Sequence, residues 1–159
     1  MMAQVFLGLG SNLGDRAANL DLAVAAVCSL GPVRRSRWYE TEPVGLPGAP
    51  RFLNGVIGLN TNRSPLQLMG YVLEVERQFG RNQTDRSSSR TIDIDLLLYG
   101  ARVVNEPGLE IPHPRMHERA FVLVPLCELA REFVHPVLGR TMSGLLSGID
   151  TTGVRVLPS

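Results

Sequence analysis

The sequence predicts an α+β fold, a ferredoxin-like βαββαβ sandwich followed by a C-terminal extension. Two observations lead to this prediction. Strand-like and helix-like patterns follow one another over residues 5–98 in the order strand, helix, strand, strand, helix, strand. The chain has 159 residues, of which 44% are hydrophobic, and this is enough for one compact core but leaves no room for a second. We therefore expect residues 1–159 to form a single domain.

The first strand and helix are separated by a glycine-rich turn. Val5–Leu9 is a short apolar run that leads into Gly8, Gly10 and Gly14, which predicts a buried strand leaving through a tight turn. These glycines loosely resemble a dinucleotide-binding turn, but their spacing differs from that fingerprint, and a structural turn is the better interpretation. Apolar residues then recur at helical spacing over Asp15–Leu30, until Gly31-Pro32 ends the helix.

The next strands lie on either side of a loop rich in proline and glycine. Arg34–Tyr39 predicts an exposed strand, residues 42–50 form the loop, and Phe52–Leu59 predicts a further strand. Phe52 and Asn54 share one face of that strand. Asn54 is therefore either part of a ligand platform or a polar residue satisfied at a sheet edge.

The second helix begins at Ser64-Pro65, a cap followed by a first-turn proline, and it ends at Gly80. Glu76 continues its apolar side, either as a capped core residue or as part of the cleft that contains the aspartates described below. The apolar stripe is predicted to be Leu66, Met69, Val72 and Leu73.

The later part of the chain begins with two short β-like runs. Arg102–Val104 and Leu109–Ile111 are joined by a turn through Pro107-Gly108. His113 then stands between two prolines, which aims it rigidly. Val122–Ala130 predicts a packing helix, and we expect the remainder to be scaffold with little chemistry.

The segment Arg90–Leu98 organises the chain. Its apolar residues alternate with Asp93 and Asp95, which is the period of a strand with one buried face. The two carboxylates then point to the same side, about 6.5 Å apart along the strand, and could hold one or two magnesium ions against a polyphosphate. The alternative is a strand with an acidic solvent face. Because three leucines and a tyrosine follow Asp95, we expect a central strand, where like charges repel unless a cation compensates.

The composition excludes several kinds of phosphate chemistry. All 16 basic residues are arginine, so a Walker phosphate loop, a protein-kinase lysine and Schiff-base catalysis are excluded. Phosphate would instead be bound by arginine, backbone amides and metal. The net charge of +1 argues against a nucleic-acid partner. No signal peptide or stretch of membrane length is evident, so we expect a cytoplasmic protein without a membrane partner.

Cysteine and histidine do not indicate a metal site of their own. Cys28 and Cys127 lie in apolar runs and are expected to be small buried thiols rather than a disulfide or a metal pair. His113 and His117 lack further cysteine or histidine at a spacing suitable for zinc. Phosphate contact suits these two histidines better.

Residues 80–90 contain no apolar residue in their interior, so we expect this segment to be mobile. It carries Arg81, Arg86 and Arg90 directly before the aspartate strand. As a lid, these arginines would neutralise the charge that develops in phosphoryl transfer. The alternative is an ordinary solvated loop.

Five segments together resemble the hydroxymethyl-dihydropterin pyrophosphokinase family of the folate pathway. In order along nearly the whole chain they are Gly10-Ser11-Asn12, Thr41-Glu42-Pro43-Val44-Gly45, Phe52-Leu53-Asn54, Arg90-Thr-Ile-Asp-Ile-Asp-Leu, and Pro112-His113 through Arg119-Ala120-Phe121. The resemblance implies that a βγ-pyrophosphoryl group moves from ATP to the hydroxymethyl oxygen of the pterin, releasing AMP. It implies small-molecule substrates and catalysis by positioning and charge neutralisation. We expect a monomer.

The resemblance also implies roles for individual residues. Asp93 and Asp95 would hold two Mg²⁺ ions that bridge the ATP phosphates and the substrate hydroxyl, and Arg81 and Arg90 would complete the catalytic set. The pterin would be bound by Thr41, Glu42, Val44, Phe52, Asn54 and Phe121, with the two phenylalanines stacked on either side of it. ATP would be bound by Glu76, Arg90, Leu96, His113 and Arg119.

The sequence departs from the family pattern mainly in the lid. Gln83 stands where the family usually has a second arginine, Ser87-Ser88-Ser89 replaces a Trp-Gly-Pro, and Pro114 replaces a common aromatic. The alternative function is therefore a weakly or non-catalytic pterin-binding homologue with a degraded nucleotide lid. A ferredoxin-like regulatory or RNA-binding domain is a further alternative. The acidic strand argues against RNA binding, because it would repel a nucleic-acid backbone.

Overall fold

The computed structural model describes residues 2–41, 51–79 and 91–158. The strands are β1 (Ala3–Ser11), β2 (Val33–Arg35), β3 (Tyr39–Thr41), β4 (Phe52–Thr61), β5 (Asp93–Tyr99), β6 (Val104–Glu106), β7 (Leu109–Ile111) and β8 (Val154–Val156). The helices are α1 (Arg16–Val27), α2 (Pro65–Gln78), α3 (Ala120–Ala130) and α4 (Met142–Leu146). Within the described ranges, no helix combines the length and apolarity needed to cross a bilayer.

An antiparallel sheet lies at the centre of the molecule. Its strand order is β5-β1-β4-β3-β8, with β2 also paired to β4, and β6 and β7 form a separate hairpin. The predicted α+β sandwich is confirmed. The expectation that the aspartate strand is central is wrong, because among the described residues β5 is an edge strand of the sheet. Its leucines are nevertheless buried, since both faces of this edge are covered.

Helices cover both faces of the sheet. One core contains Leu7 and Ile57 from the strands together with Leu20 of α1 and Leu68 of α2. On the opposite face, Phe6 and other strand residues pack against α3 and α4. The C-terminal extension therefore supplies the second helical layer and the outer strand β8. It is part of the domain and not an appendage to it.

Capping residues explain where the first two helices begin. The Asp15 side chain accepts a hydrogen bond from the Ala18 amide at 3.1 Å, which satisfies one of the unpaired amides at the start of α1. Ser64 and Gln67 form a reciprocal capping box at the start of α2. Cys28, just after α1, is exposed, so its predicted burial is wrong, whereas Cys127 is buried as expected.

The predicted apolar stripe of α2 is wrong for two of its residues. Leu66 and Leu73 are 68% and 55% exposed. The residues of α2 that are buried are Pro65, Leu68, Val72, Val75 and Glu76. Both stripes have helical spacing, so only the packing of the helix on the sheet selects between them.

A β-bulge interrupts the regular alternation of β5. Leu96 pairs with Leu7 and Leu98 pairs with Phe6, so Leu97 is an extra residue between them. Leu98 therefore belongs to the core on the α3 side and does not share a face with Leu96, contrary to the simple alternation. The bulge lies beyond the aspartates, which keep their common face.

Candidate active site

A cavity of about 650 Å³ opens on the α3 side of the sheet. Toward one end of that face, Phe6, Val56 and Leu97 are covered by α3 and α4. Toward the other end the sheet carries glycine and polar residues instead, and the helices do not fill this space. The cavity is lined by Gly8, Leu9, Gly10, Thr41, Phe52, Asn54, Gly55, Val56, Asp93, Asp95, Arg115, Glu118, Arg119, Ala120, Phe121, Val122, Asp150, Gly153 and Val154.

Glycines of β1 form part of the cavity floor. β1 continues through Gly8 and Gly10 to Ser11, so the tight turn predicted at these glycines is wrong. Of the three glycines Gly8, Gly10 and Gly14, only Gly14, which lies beyond the strand, has a left-handed backbone, with φ of 69°. In the sheet, Gly8 lies opposite Asp95 and Gly10 lies opposite Asp93. The absence of side chains at these two positions leaves space beside both carboxylates.

Asp93 and Asp95 lie together on the cavity wall, as the strand pattern predicted. Among the described residues, no group of three or more His, Cys, Asp or Glu side chains is placed to hold a metal ion. A cation here would therefore take two protein carboxylates and complete its coordination with water and ligand oxygens. This is how Mg²⁺ is commonly bound in enzymes that act on phosphates, so the donor set fits that ion.

Glu76 supports the aspartate strand from behind the cavity. It is 3% exposed, and its carboxylate accepts a hydrogen bond from the Ile94 amide at 2.8 Å. Ile94 lies between the two aspartates on the edge strand, so this bond satisfies an amide that the sheet leaves unpaired. The structure places Glu76 in the core outside the cavity lining, which favours the first of its two predicted interpretations.

The opposite end of the cavity combines aromatic and hydrogen-bonding groups. The Asn54 amide nitrogen donates to the Thr41 hydroxyl at 2.8 Å, which links β4 to β3. Phe52 lies on the same strand as Asn54, and Phe121 projects from the first turn of α3. The Arg119 guanidinium lies 5.6 Å from the centre of the Phe121 ring. An aromatic, flat, polar-edged ligand fits this combination.

The close approach of Asn54 to β1 explains why residue 10 is glycine. A Cβ atom on Gly10 would lie 2.9 Å from the Asn54 side-chain oxygen, and the bond to Thr41 prevents Asn54 from moving freely. We expect Gly10→Ala to displace Asn54 and weaken binding of a ligand at this end by about 1–2 kcal/mol. Ligand titration of both proteins measures the effect.

A matched control adds the same methyl group elsewhere in β1. At Gly8 the atoms nearest to an added Cβ would be those of the Leu97 side chain, at an ordinary 3.5 Å. Gly8→Ala should therefore leave the Asn54–Thr41 bond intact in a crystal structure, whereas Gly10→Ala should break it. An unchanged Asn54 position in Gly10→Ala would contradict the prediction.

His113 is held beside the aspartate strand by two backbone contacts. Its amide donates to the Leu97 carbonyl at 2.9 Å, and its Nδ1 accepts from the Arg115 amide at 3.2 Å. Burial, together with the charges of Arg119 and Arg115, lowers the pKa of His113. The ring is therefore neutral at pH 7, with the proton on Nε2. His113 does not line the cavity, although it interacts electrostatically with Asp93.

His135 shares this behaviour within the scaffold. Its Nδ1 accepts hydrogen bonds from the amides of Val137 and Leu138, at 3.2 and 3.1 Å. Burial, and then the charge of His117, lowers its pKa. Protonation of Nδ1 would break both bonds, so the folded protein resists it.

We expect the free energy of unfolding to decrease as the pH falls below about 6.5, the ordinary histidine pKa. Below this pH, His113 and His135 bind protons in the unfolded chain but resist protonation in the folded protein. The free energy of unfolding therefore rises with pH up to about 6.5, and the contribution of the two histidines is complete above that pH. Urea unfolding at several pH values measures this slope. His135→Asn keeps an acceptor near the Nδ1 position but cannot titrate, so its slope should be shallower. An equal slope would contradict the assignment to His135.

Some predicted site residues do not line the cavity. Leu96 is 3% exposed and packs in the core on the opposite face of the sheet. Its side chain therefore cannot contact a ligand in the cavity, and the predicted ATP contact of Leu96 is corrected to exclude the side chain. Four predicted residues, Glu42, Val44, Arg81 and Arg90, lie outside the described residues, as does the predicted lid. Seven of the predicted residues do line the cavity: Thr41, Phe52, Asn54, Asp93, Asp95, Arg119 and Phe121.

The sequence analysis missed one wall of the cavity. Asp150, Gly153 and Val154 reach it because β8 pairs with β3, with Val154 opposite Thr41. The C-terminal part, which the sequence predicts to be scaffold, therefore also contributes residues to the cavity lining. The Asp150 carboxylate accepts from the Thr152 amide at 3.0 Å, which lowers its pKa. No local signal indicated this position, because three residues of strand are too few for a clear period.

Comparisons with known proteins give a consistent result. The 7,8-dihydro-6-hydroxymethylpterin-pyrophosphokinase (HPPK) family model matches residues 6–131. A 2-amino-4-hydroxy-6-hydroxymethyldihydropteridine pyrophosphokinase of Methylorubrum extorquens is 40% identical over 156 residues, which cover 96% of this chain and 98% of that protein. The protein of the same name from Pseudomonas aeruginosa is 37% identical over 161 residues, which cover 99% of each chain.

The fold is also similar to that of a solved structure. A Plasmodium falciparum HPPK-DHPS crystal structure matches with a TM-score of 0.76 and 15% identity, over 93% of this chain and 45% of that chain. This chain thus spans less than half the length of the HPPK-DHPS chain. At such low identity the likeness concerns the fold alone.

Proposed function

The chain belongs to the 7,8-dihydro-6-hydroxymethylpterin-pyrophosphokinase family, and we propose that the cavity between β1, β4 and β5 is its active site. The protein is an ATP-dependent pyrophosphokinase of folate biosynthesis. It transfers pyrophosphate from ATP to the hydroxymethyl group of 6-hydroxymethyl-7,8-dihydropterin. A bond forms between the hydroxymethyl oxygen and the β-phosphorus, the bond from that phosphorus to the AMP oxygen breaks, and AMP is released.

The pterin would lie at the Asn54 end of the cavity. Phe52 and Phe121 are the two aromatic side chains there and would stack on the pterin ring. Asn54 and Thr41, already joined by a hydrogen bond, would present their remaining polar groups to its edge. Glu42 and Val44 are included in this proposal on the family resemblance alone.

The transferred phosphates would lie at the Asp93 end. Both aspartates would hold Mg²⁺, and we propose two ions, which when bound neutralise phosphate charge and orient the reacting groups. Arg119 lines the same cavity and would bind phosphate through its guanidinium. His113 lies outside the cavity lining; on the family resemblance, its Nε2 proton would be donated to a phosphate oxygen.

The remaining proposed contacts rest on the resemblance. Arg81 and Arg90 would approach the phosphates, and Leu96 would contact the nucleotide through its backbone only. Glu76 would act on the ATP site by holding the backbone between the two aspartates. Catalysis then consists of holding the hydroxyl and the β-phosphorus together and neutralising charge, without a covalent intermediate.

One observation carries this assignment: the aspartate pair and the Phe52–Asn54–Phe121 group share a single cavity. The test is incubation with ATP, Mg²⁺ and hydroxymethyl-dihydropterin, followed by measurement of AMP and of pterin pyrophosphate. Equal amounts of both products are expected. Reactions without Mg²⁺ or without pterin are the controls. Release of ADP in place of AMP, or pterin binding without AMP, would contradict the proposal.

No observation favours the non-catalytic alternative. A pterin-binding protein needs Phe52, Asn54 and Phe121, but it has no use for two adjacent carboxylates on the same cavity wall. A single domain over 1–159, a monomeric state and a cytoplasmic location are further proposals, made from the sequence. Size-exclusion chromatography with light scattering measures the oligomeric state.

A further inference from the structure

Glu40 is the centre of a network that it forms with Arg16 and Arg51. Arg16 Nη2 donates to its Oε2 at 2.7 Å, and Arg51 Nη1 donates to its Oε1 at 3.2 Å. Arg16 Nη1 also donates to the Arg51 carbonyl at 3.0 Å. The hydrogen bonds from Arg16 and Arg51 lower the pKa of Glu40. Each of the three residues is thus bound directly to the other two.

The network lies beneath the pterin end of the cavity. Glu40 stands between Tyr39 and Thr41, both buried, so alternation along β3 directs it to the opposite face of the sheet. Arg16 is the first residue of α1, which covers that opposite face. None of the three network residues lines the cavity.

Glu40 and Arg51 each adjoin a proposed pterin contact. Glu40 directly precedes Thr41, and Arg51 directly precedes Phe52. Thr41 and Phe52 are themselves opposite each other in the β3–β4 pairing. The network therefore fastens the paired ends of β3 and β4 to the start of α1, at the point where these strands present Thr41 and Phe52 to the cavity.

We infer that Arg16, Glu40 and Arg51 are positioning residues that fix the aromatic and hydrogen-bonding groups of the pterin end. The inference rests on the proposed assignment of Thr41, Phe52 and Asn54 to the pterin. Since the network touches no part of the cavity, it would act only through the placement of these residues. Ligand affinity is sensitive to such placement, because ordering a loose strand end reduces the net free energy of binding.

The physical setting distinguishes this role from general stabilisation. The side chains of Arg16 and Glu40 are 27% and 26% exposed, and partly exposed ion pairs contribute little to global stability. The ends of strands also open locally at a lower free energy than the whole domain unfolds. Loss of the network should therefore alter pterin binding much more than the melting temperature.

The principal test compares Glu40→Gln with Glu74→Gln. Glu74 forms an exposed ion pair with Arg77 on α2, so the control variant also loses one carboxylate that is paired with arginine, outside the cavity lining. The KM for hydroxymethyl-dihydropterin, the KM for ATP, kcat and the melting temperature are measured for each. For Glu40→Gln we expect the pterin KM to rise at least fivefold and the ATP KM to change less than twofold. Its melting temperature should match that of Glu74→Gln.

Three further variants test whether the residues act as a unit. Arg16→Gln should raise the pterin KM about as much as Glu40→Gln, and the double variant should be no worse than either single one. Arg16→Lys should give an intermediate value, because one ammonium group cannot reproduce the forked contact with both Glu40 and the Arg51 carbonyl. If the increases in pterin KM from Arg16→Gln and Glu40→Gln simply add in the double variant, the inference that these residues act as a unit is wrong.

Phe52→Ala tests the proposed pterin site separately from the positioning role of the network. If Phe52→Ala raises the pterin KM and Glu40→Gln does not, the positioning role is wrong while the pterin site stands. If neither variant changes the pterin KM, the assignment of this end to the pterin fails, and the inference fails with it. Equal increases in both KM values with a lowered melting temperature for Glu40→Gln would show general destabilisation and would also overturn the inference.

Discussion

Asp95→Asn is expected to abolish turnover while the protein stays folded. Asp95 lies on the cavity wall with Asp93, and the amide removes one of the two charges proposed to hold Mg²⁺ against the phosphates. The loss of one electrostatic contact to a transition state commonly costs about 10²- to 10³-fold in rate, and loss of a metal ligand should cost at least as much. Asparagine has nearly the same shape as aspartate, so the packing of β5 should not change.

The measurement is AMP release at ordinary Mg²⁺, together with pterin binding and the melting temperature. Pterin binding should survive, because the aromatic end of the cavity is untouched. Glu106→Gln, which changes an exposed carboxylate on β6 in the same way, is the matched control and should retain normal turnover. Near-normal AMP release by Asp95→Asn would overturn the metal assignment.

Phe121→Ala is expected to weaken pterin binding by roughly 1–3 kcal/mol, through lost stacking and apolar contact. Phe121 stands in the first turn of α3, where it lines the cavity and also packs against the core on that face. ATP binding should change much less. Calorimetric titration of each ligand separately measures the two effects.

Phe133 provides the control for this variant. It packs against the same core and forms an edge-on contact with Phe6, with 5.4 Å between ring centres, but it does not line the cavity. Phe133→Ala removes the same atoms from the same layer, so it should lower stability without a selective loss of pterin affinity. Equal losses for pterin and ATP in Phe121→Ala would mean that Phe121 is a core residue and not a pocket wall.

Local patterns predicted which side chains share a face on two of the strands that line the cavity. The alternation in β5 put Asp93 and Asp95 on one face, and the alternation in β4 put Phe52 beside Asn54; all four side chains line the cavity. The glycines of β1 illustrate the opposite case. Gly8 and Gly10 suggested a turn by composition, yet they continue the strand as cavity floor. A glycine that makes space for a neighbour cannot be told from a turn glycine until that neighbour is known.

The sequence by itself determined the alternation of strands and helices as far as β5, the capped start of α2, and the common face of the two aspartates. These properties are local, because periodicity and capping involve residues only a few positions apart. The tertiary structure alone decided that β5 lies at the sheet edge, that α3 and α4 cover the second face, and that β8 brings Asp150 to the cavity. It alone joined Arg16 and Glu40 across 24 positions of the chain. Such choices depend on which distant surfaces bury each other most completely, and no short stretch of sequence contains that information.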